Sequence, residues 1–173
     1  SKRIAFYDHT GRIHVVNLDG DHQVIAESPF EAVTDYAWAP DSRWLAWSRR
    51  DDNGNPSLFV WSSDDDEVTR LGEGFFSAYG PAFGRDGKHL FFLSDREFAP
   101  QIGSFEWNYS VDRETGIFAY ALDADSPNPF GPRNDETAPA SEKDKDDEKD
   151  EEKENKVRVA IDFDGLDQRV IRV

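Results

Sequence analysis

Trp38-Ala39-Pro40-Asp41-Ser42-Arg43-Trp44-Leu45-Ala46-Trp47 returns 45 residues later as Phe83-Gly84-Arg85-Asp86-Gly87-Lys88-His89-Leu90-Phe91-Phe92. An aromatic stands at either end of both copies, Asp41 aligns with Asp86, Arg43 with Lys88, Leu45 with Leu90, and Trp47 with Phe92. The middle of each copy is a turn, because Asp caps a turn through its own side chain and Gly accepts backbone conformations that other residues resist. The run after the turn is apolar at every position, which marks a strand buried on both faces. A partial third copy precedes them: Ile4-Ala5-Phe6 aligns with Leu45-Ala46-Trp47 at an offset of 41 residues.

Outward from these copies, short apolar runs recur, each bounded by Gly, Asp, Asn or Pro, and no long segment has a helical apolar period. The strands expected are Ile4–Tyr7, Ile13–Leu18, Gln23–Ala26, Val33–Trp38, Trp44–Ser48, Leu58–Ser62, Val68–Leu71, Ala82–Phe83, His89–Ser94, Ile117–Leu122, Val157–Asp162 and Arg169–Val173. Four strands per unit at a period of roughly 40–45 residues is the pattern of β-propeller blades. The fold expected is all-β: a partial β-propeller of about three four-stranded antiparallel blades. Blade 1 is partial (1–28), blade 2 spans 29–74, and blade 3 spans 75–173. The first unit opens on a second strand, so its innermost strand is missing. Three units cannot close a ring, and the expectation is a piece of a longer propeller. A chain that opens on Ser1 and has no methionine fits a processed or trimmed product.

The segment 134–156 stands apart, with 11 acidic residues, 5 lysines and almost nothing apolar. It cannot bury enough surface to offset backbone ordering of about 1–2 kcal/mol per residue, so a disordered, solvated insertion is expected. The formal charge of the whole chain is -16, which makes nucleic acid and anionic membrane poor partners. No apolar run approaches the roughly 20 residues of a membrane span. Without cysteine there is neither a disulfide framework nor a thiolate nucleophile or ligand.

The third unit carries a further signal. Pro81-Ala82-Phe83-Gly84-Arg85-Asp86-Gly87-Lys88-His89-Leu90-Phe91-Phe92-Leu93-Ser94-Asp95-Arg96-Glu97-Phe98 resembles the propeller repeat of the tricorn-type serine peptidases. So do Ile117–Leu122 with Ser126-Pro127-Asn128-Pro129-Phe130-Gly131-Pro132, and the closing Ile161–Val170. The first two units resemble the broader TolB-like repeat. Its usual Pro-Asp-Gly turn is changed here to Pro40-Asp41-Ser42 and Arg85-Asp86-Gly87. The resemblance implies a parent chain with two propellers, a small mixed domain, a PDZ-like module and a later serine-peptidase domain that holds the catalytic residues. It implies further that the propellers filter or guide peptides, that the parent is a homo-oligomer, and that it is cytoplasmic, a periplasmic relative requiring an upstream leader. The competing reading is a stand-alone TolB-like module for protein–protein interaction.

Candidate sites are few. The sequence has no Gly-x-Ser-x-Gly elbow and no Ser-x-x-Lys, and His9, His14, His22 and His89 lack zinc-ligand spacing, so no catalytic residue, metal or cofactor is expected. Asp51-Asp52-Asn53-Gly54-Asn55 reads as a turn rather than a calcium loop, since Pro56 replaces the required glycine and Ser62 the terminal Glu. Gly72-Glu73-Gly74 reads as a loop between blades. The insertion Gln101–Ser110 is the local oddity. Its Phe105, Trp107 and Tyr109 are the candidates for contact with peptide or a partner protein, because long insertions and aromatic anchors are common at binding sites.

Overall fold

The computed structural model describes residues 3–28, 35–97, 101–102, 109–110, 115–126, 128, 130 and 157–173. Three antiparallel sheets succeed one another along the chain. The first is β1 (Arg3–Tyr7), β2 (Arg12–Asn17) and β3 (His22–Glu27). The second is β4 (Tyr36–Trp38), β5 (Trp44–Arg50), β6 (Pro56–Ser62) and β7 (Glu67–Leu71). The third is β8 (Ala78–Phe83), β9 (His89–Ser94), β12 (Gly116–Ala121) and β13 (Val170–Arg172), with a two-stranded ribbon β10 (Gln101–Ile102) and β11 (Tyr109–Ser110) inserted between β9 and β12. The expected acidic insertion 134–156 lies outside the described residues.

The repeated decapeptide is a repeated turn. Ala39 N–H donates to Trp44 O and Gly84 N–H to His89 O, at 2.9 and 2.8 Å. Arg43 N–H donates to Asp41 Oδ1 and Lys88 N–H to Asp86 Oδ1, both at 3.0 Å. The third residue of each turn is left-handed, with φ 61° at Ser42 and 70° at Gly87. Serine therefore bears a conformation in one blade that glycine adopts freely in the other.

Each sheet presents alternate residues to its neighbours, because strand side chains point to opposite faces with period two. Leu45, Trp47, Phe59 and Trp61 of the second sheet are buried against Ile13 and Val15 of the first. Ala46, Leu58, Val60 and Leu71 face the other way and pack against Leu90, Phe92, Phe118 and Tyr120 of the third. The middle sheet is thus covered on both sides, as its unbroken apolar run requires. The inner strands are tied as well. Asp35, just before β4, accepts the Gly80 N–H of β8 at 2.7 Å and the Ser48 hydroxyl at 2.5 Å.

Two expectations are corrected. Val157–Asp162 is not a strand. Its central hydrogen bonds go to the turn of the second sheet: Val159 N–H donates to Asp41 Oδ2 at 2.8 Å, and the Trp44 indole N–H donates to Val159 O at 3.2 Å. A backbone held this way cannot also join a ladder. The closing strand is correspondingly shorter than Arg169–Val173, because Leu166–Arg169 forms one 3-10 turn after a left-handed Gly165.

Candidate functional site

Strand direction sorts the loops onto two ends. In the second sheet, the turn between second and third strands and the loop to the next sheet emerge at the same end. The β5–β6 turn, the β7–β8 loop and the β9–β12 insertion therefore share one end, Ser94 and Gly116 being paired where the insertion leaves and returns.

At that end the β7–β8 loop is held by the side chains of the neighbouring turn. Asn53 Nδ2 donates to Gly74 O at 2.8 Å, and Asn55 Nδ2 reaches Gly74 O and Phe75 O at 3.3 Å each. Asp51 pairs with Arg70 at 2.6 Å, so the aspartate of the candidate calcium loop is committed to the fold. Among the described residues, no three His, Cys, Asp or Glu side chains form a group able to hold a metal ion. The pinned loop presents Phe75 and Phe76 to solvent, 74% and 53% exposed. Two neighbouring aromatics so exposed on a fixed backbone are unusual for a surface with no partner.

Beneath them lies a cavity of about 160 Å³ between the second and third sheets, lined by Ser57, Leu71, Phe76, Arg96, Tyr120 and Asp167 among others. Arg96 lies over the rings of Phe118, Phe92 and Phe76, at 5.0, 5.1 and 5.8 Å from their centroids. The Tyr120 hydroxyl donates to Asp167 Oδ1 at 3.4 Å. Burial, and next the Asp167 carboxylate, push the Tyr120 phenol up to about 12. Gly72 closes the cavity's edge with φ 80°, and a Cβ there would stand 2.9 Å from the Tyr120 hydroxyl.

Of the aromatic candidates read from the sequence, Phe105 and Trp107 lie outside the described residues. Tyr109 is in β11, its backbone paired with Ile102. The insertion that carries all three springs from the same end as Phe75 and Phe76, two residues that sequence reasoning missed. Their signal was present: two adjacent phenylalanines between Gly74 and Ser77, in a loop rather than a strand.

The histidines hold a second surprise. His14 Nε2 lies 2.8 Å from Asp8 Oδ2, and His14 Nδ1 lies 2.8 Å from His22 Nε2. Phe6 stacks on His14 at 4.8 Å between centroids and 7° between planes. Spacing along the chain could not reveal this line, which depends on the β2–β3 register. His89 is buried, with Nδ1 3.6 Å from Asp86 and Nε2 without a hydrogen-bond partner.

Antiparallel sheets of three or four strands stacked face on face, the outer strand of one leading to the inner strand of the next, define a segment of a β-propeller. Its particular kind emerges from comparison: residues 1–173 match the family model of the tricorn protease second beta propeller domain, and the chain belongs to that family. It is 34% identical over 170 residues to tricorn protease homolog 1 of Streptomyces coelicolor, covering 98% of this chain and 16% of that protein. Against the tricorn protease homolog of Saccharolobus solfataricus, identity is 23% over 145 residues, covering 83% of this chain and 13% of the relative. The crystal structure of the tricorn protease superposes on 99% of this chain and 16% of its own, with a TM-score of 0.72 at 22% identity, a likeness of fold.

Proposed function

We propose that this chain is a non-catalytic wall of a tricorn-type serine peptidase and that it guides unfolded peptide, or supports assembly, through its β7–β8 loop and β9–β12 insertion. The observation that carries this reading is the exposed pair Phe75–Phe76, fixed by Asn53 and Asn55 over a cavity of about 160 Å³. A void of that size takes one medium side chain; for comparison, an engineered apolar cavity of about 150 Å³ binds benzene. Aromatic surface around a side-chain-sized hollow suits an extended peptide without demanding a particular sequence.

The reading is tested by an NMR titration with unstructured peptides rich in apolar residues. Shifts should cluster at residues 72–77 and 94–96 and should be lost in Phe75→Ser/Phe76→Ser. Titration without shifts there removes the guiding role. Reproducible peptide cleavage by the pure chain removes the non-catalytic one.

A further inference from the structure

The cavity between the second and third sheets has both walls within this chain, Ser57 and Leu71 on one side and Tyr120 and Asp167 on the other, with the β7–β8 loop along its rim. Leu71, Phe76 and Ala78 give it apolar sides. Its floor is polar, and the polar groups are of opposite charge. Arg96 lies against the rings of Phe118, Phe92 and Phe76, and its Nε–H goes to Ser94 Oγ at 3.3 Å. Asp167 is exposed overall, yet its Oδ1 is turned inward to accept the Tyr120 hydroxyl at 3.4 Å. Gly72 keeps the approach to both atoms open: a Cβ there would stand 2.9 Å from the hydroxyl and 3.3 Å from Asp167 Oδ1.

The two charges act on one place. Burial is the largest influence on the Tyr120 phenol; after it the Asp167 carboxylate opposes loss of the proton and the Arg96 guanidinium, more weakly, favours it. A charged occupant therefore meets one attractive and one repulsive neighbour. An ammonium can only donate and would face Arg96, while a carboxylate can only accept and would face Asp167. An apolar occupant would strip water from both groups and return no hydrogen bond. A primary carboxamide does what neither ion can: its oxygen accepts from the guanidinium and its NH2 donates to the carboxylate, with no net charge. Glu73, the other carboxylate of the rim, is exposed and screened by water.

We propose that this cavity is a specificity pocket for a carboxamide side chain, glutamine or asparagine, of a guided peptide, with Arg96 and Asp167 as the residues that read it. The inference rests on the peptide-guiding reading above and adds to it a preference at one position. The aliphatic stem of that side chain lies along Leu71, Phe76 and Ala78, and its neighbours in the peptide lie on Phe75.

An NMR titration of the intact chain tests the pocket with peptides Ala-Leu-Ala-X-Ala-Leu-Ala. Acetyl and N-methylamide ends leave X alone to carry a charge or a primary amide. Shifts at residues 72–77 and at the Arg96 Nε–H report the affinity. The tighter of glutamine and asparagine at X should bind about fivefold better than glutamate, lysine or methionine, the scale of one net hydrogen bond. Asp167→Asn removes the repulsion against an anion and should narrow the gap between glutamate and glutamine. Arg96→Met, which keeps an apolar stem on the rings, should narrow the gap for lysine. Asp167 is exposed, so Asp167→Asn keeps the parent's melting curve and decides alone if Arg96→Met melts early. Glutamate, lysine or methionine binding as tightly as both amides overturns the pocket and leaves the guiding role standing. So does a ratio of glutamate to glutamine affinity that Asp167→Asn leaves unchanged. No shift from any peptide overturns the guiding role and the pocket together.

Discussion

The second sheet has two seams, and they differ in how they are closed. Their apolar halves are alike: Leu45, Trp47, Phe59 and Trp61 meet Ile13 and Val15 on one side, and Leu90, Phe92, Phe118 and Tyr120 meet Ala46, Leu58 and Val60 on the other. In each case a large, ring-bearing face enters a smaller aliphatic one. Their polar halves are not alike. The seam with the third sheet is stitched by Asp35 to Gly80, by Asp41 to Val159 and by Trp44 to Val159. The seam with the first sheet is tied at other places: Tyr36 Oη donates to Ala5 O at 3.3 Å, Arg49 to Glu27 O at 3.0 Å, Arg3 to Ser42 O at 3.3 Å and Gln23 to Asp66 Oδ1 at 2.9 Å. It also buries the Trp47 indole N–H without a partner. Apolar surface specifies that blades stack, and the polar ties set where along the seam each pair is held.

The largest expected effect tests the apolar equivalence. Phe92→Ala and Trp47→Ala each remove a fully buried ring from one seam and should each cost about 3–5 kcal/mol in urea unfolding. Losses that differ by more than about 2 kcal/mol would show that the two ring stacks are not equivalent. Next comes Asp35→Ala, which strands the Gly80 N–H and the Ser48 hydroxyl together. Leaving such groups unsatisfied costs about 1–3 kcal/mol. Hydrogen exchange should speed at Gly80 while amides of the first sheet stay protected; equal acceleration in the first sheet would mean that the ties do not distinguish the seams.

Tyr120 sharpens the comparison by pH. A tyrosine in the unfolded chain ionises near pH 10, whereas the folded phenol is pushed up to about 12. Stability is therefore whole below pH 10 and declines from there toward 12, as the unfolded state loses the proton first. Tyr120→Phe should remove this part of the alkaline slope. An unchanged slope would place the cause elsewhere than in the seam with the third sheet.

Most of the architecture was legible because it rests on local rules repeated at a fixed interval. Asp41 and Asp86 announced the same turn, and the unbroken run from Trp44 to Trp47 required a strand covered on both faces. Val157–Asp162 misled for a physical reason. Alternating Val and Ile favour extended backbone, but the donor and acceptor of Val159 at its centre are taken by Asp41 and Trp44 from more than a hundred residues away. The site was less legible still. Phe75 and Phe76 become a fixed aromatic surface only because Asn53 and Asn55, some twenty residues earlier, hold their loop. The line Asp8–His14–His22 exists only in one strand register.

The smallest effect belongs to that line, in the first sheet. Asp8 accepts the Thr10 hydroxyl at 2.6 Å and lies 2.8 Å from His14 Nε2, with backbone N–H groups of Thr10 and Arg12 at 2.8 and 3.1 Å. The Thr10 hydroxyl first, and His14 next, hold its carboxyl well below the usual carboxylate range, against a smaller opposing effect of burial. Folded Asp8 thus keeps its charge where the unfolded residue has already taken a proton. Its contribution is present above the ordinary value near 3.9 and fades only as acid carries the pH below it. The carboxyl carbon of Asp8 should still report a carboxylate at pH 3, and Asp8→Asn should flatten that stretch of the acid unfolding curve slightly. Titration of Asp8 in the ordinary range would mean that the hydrogen-bonded turn at the head of the first sheet opens in solution, leaving the β1–β2 hairpin less fixed than its counterpart closed by Asp51.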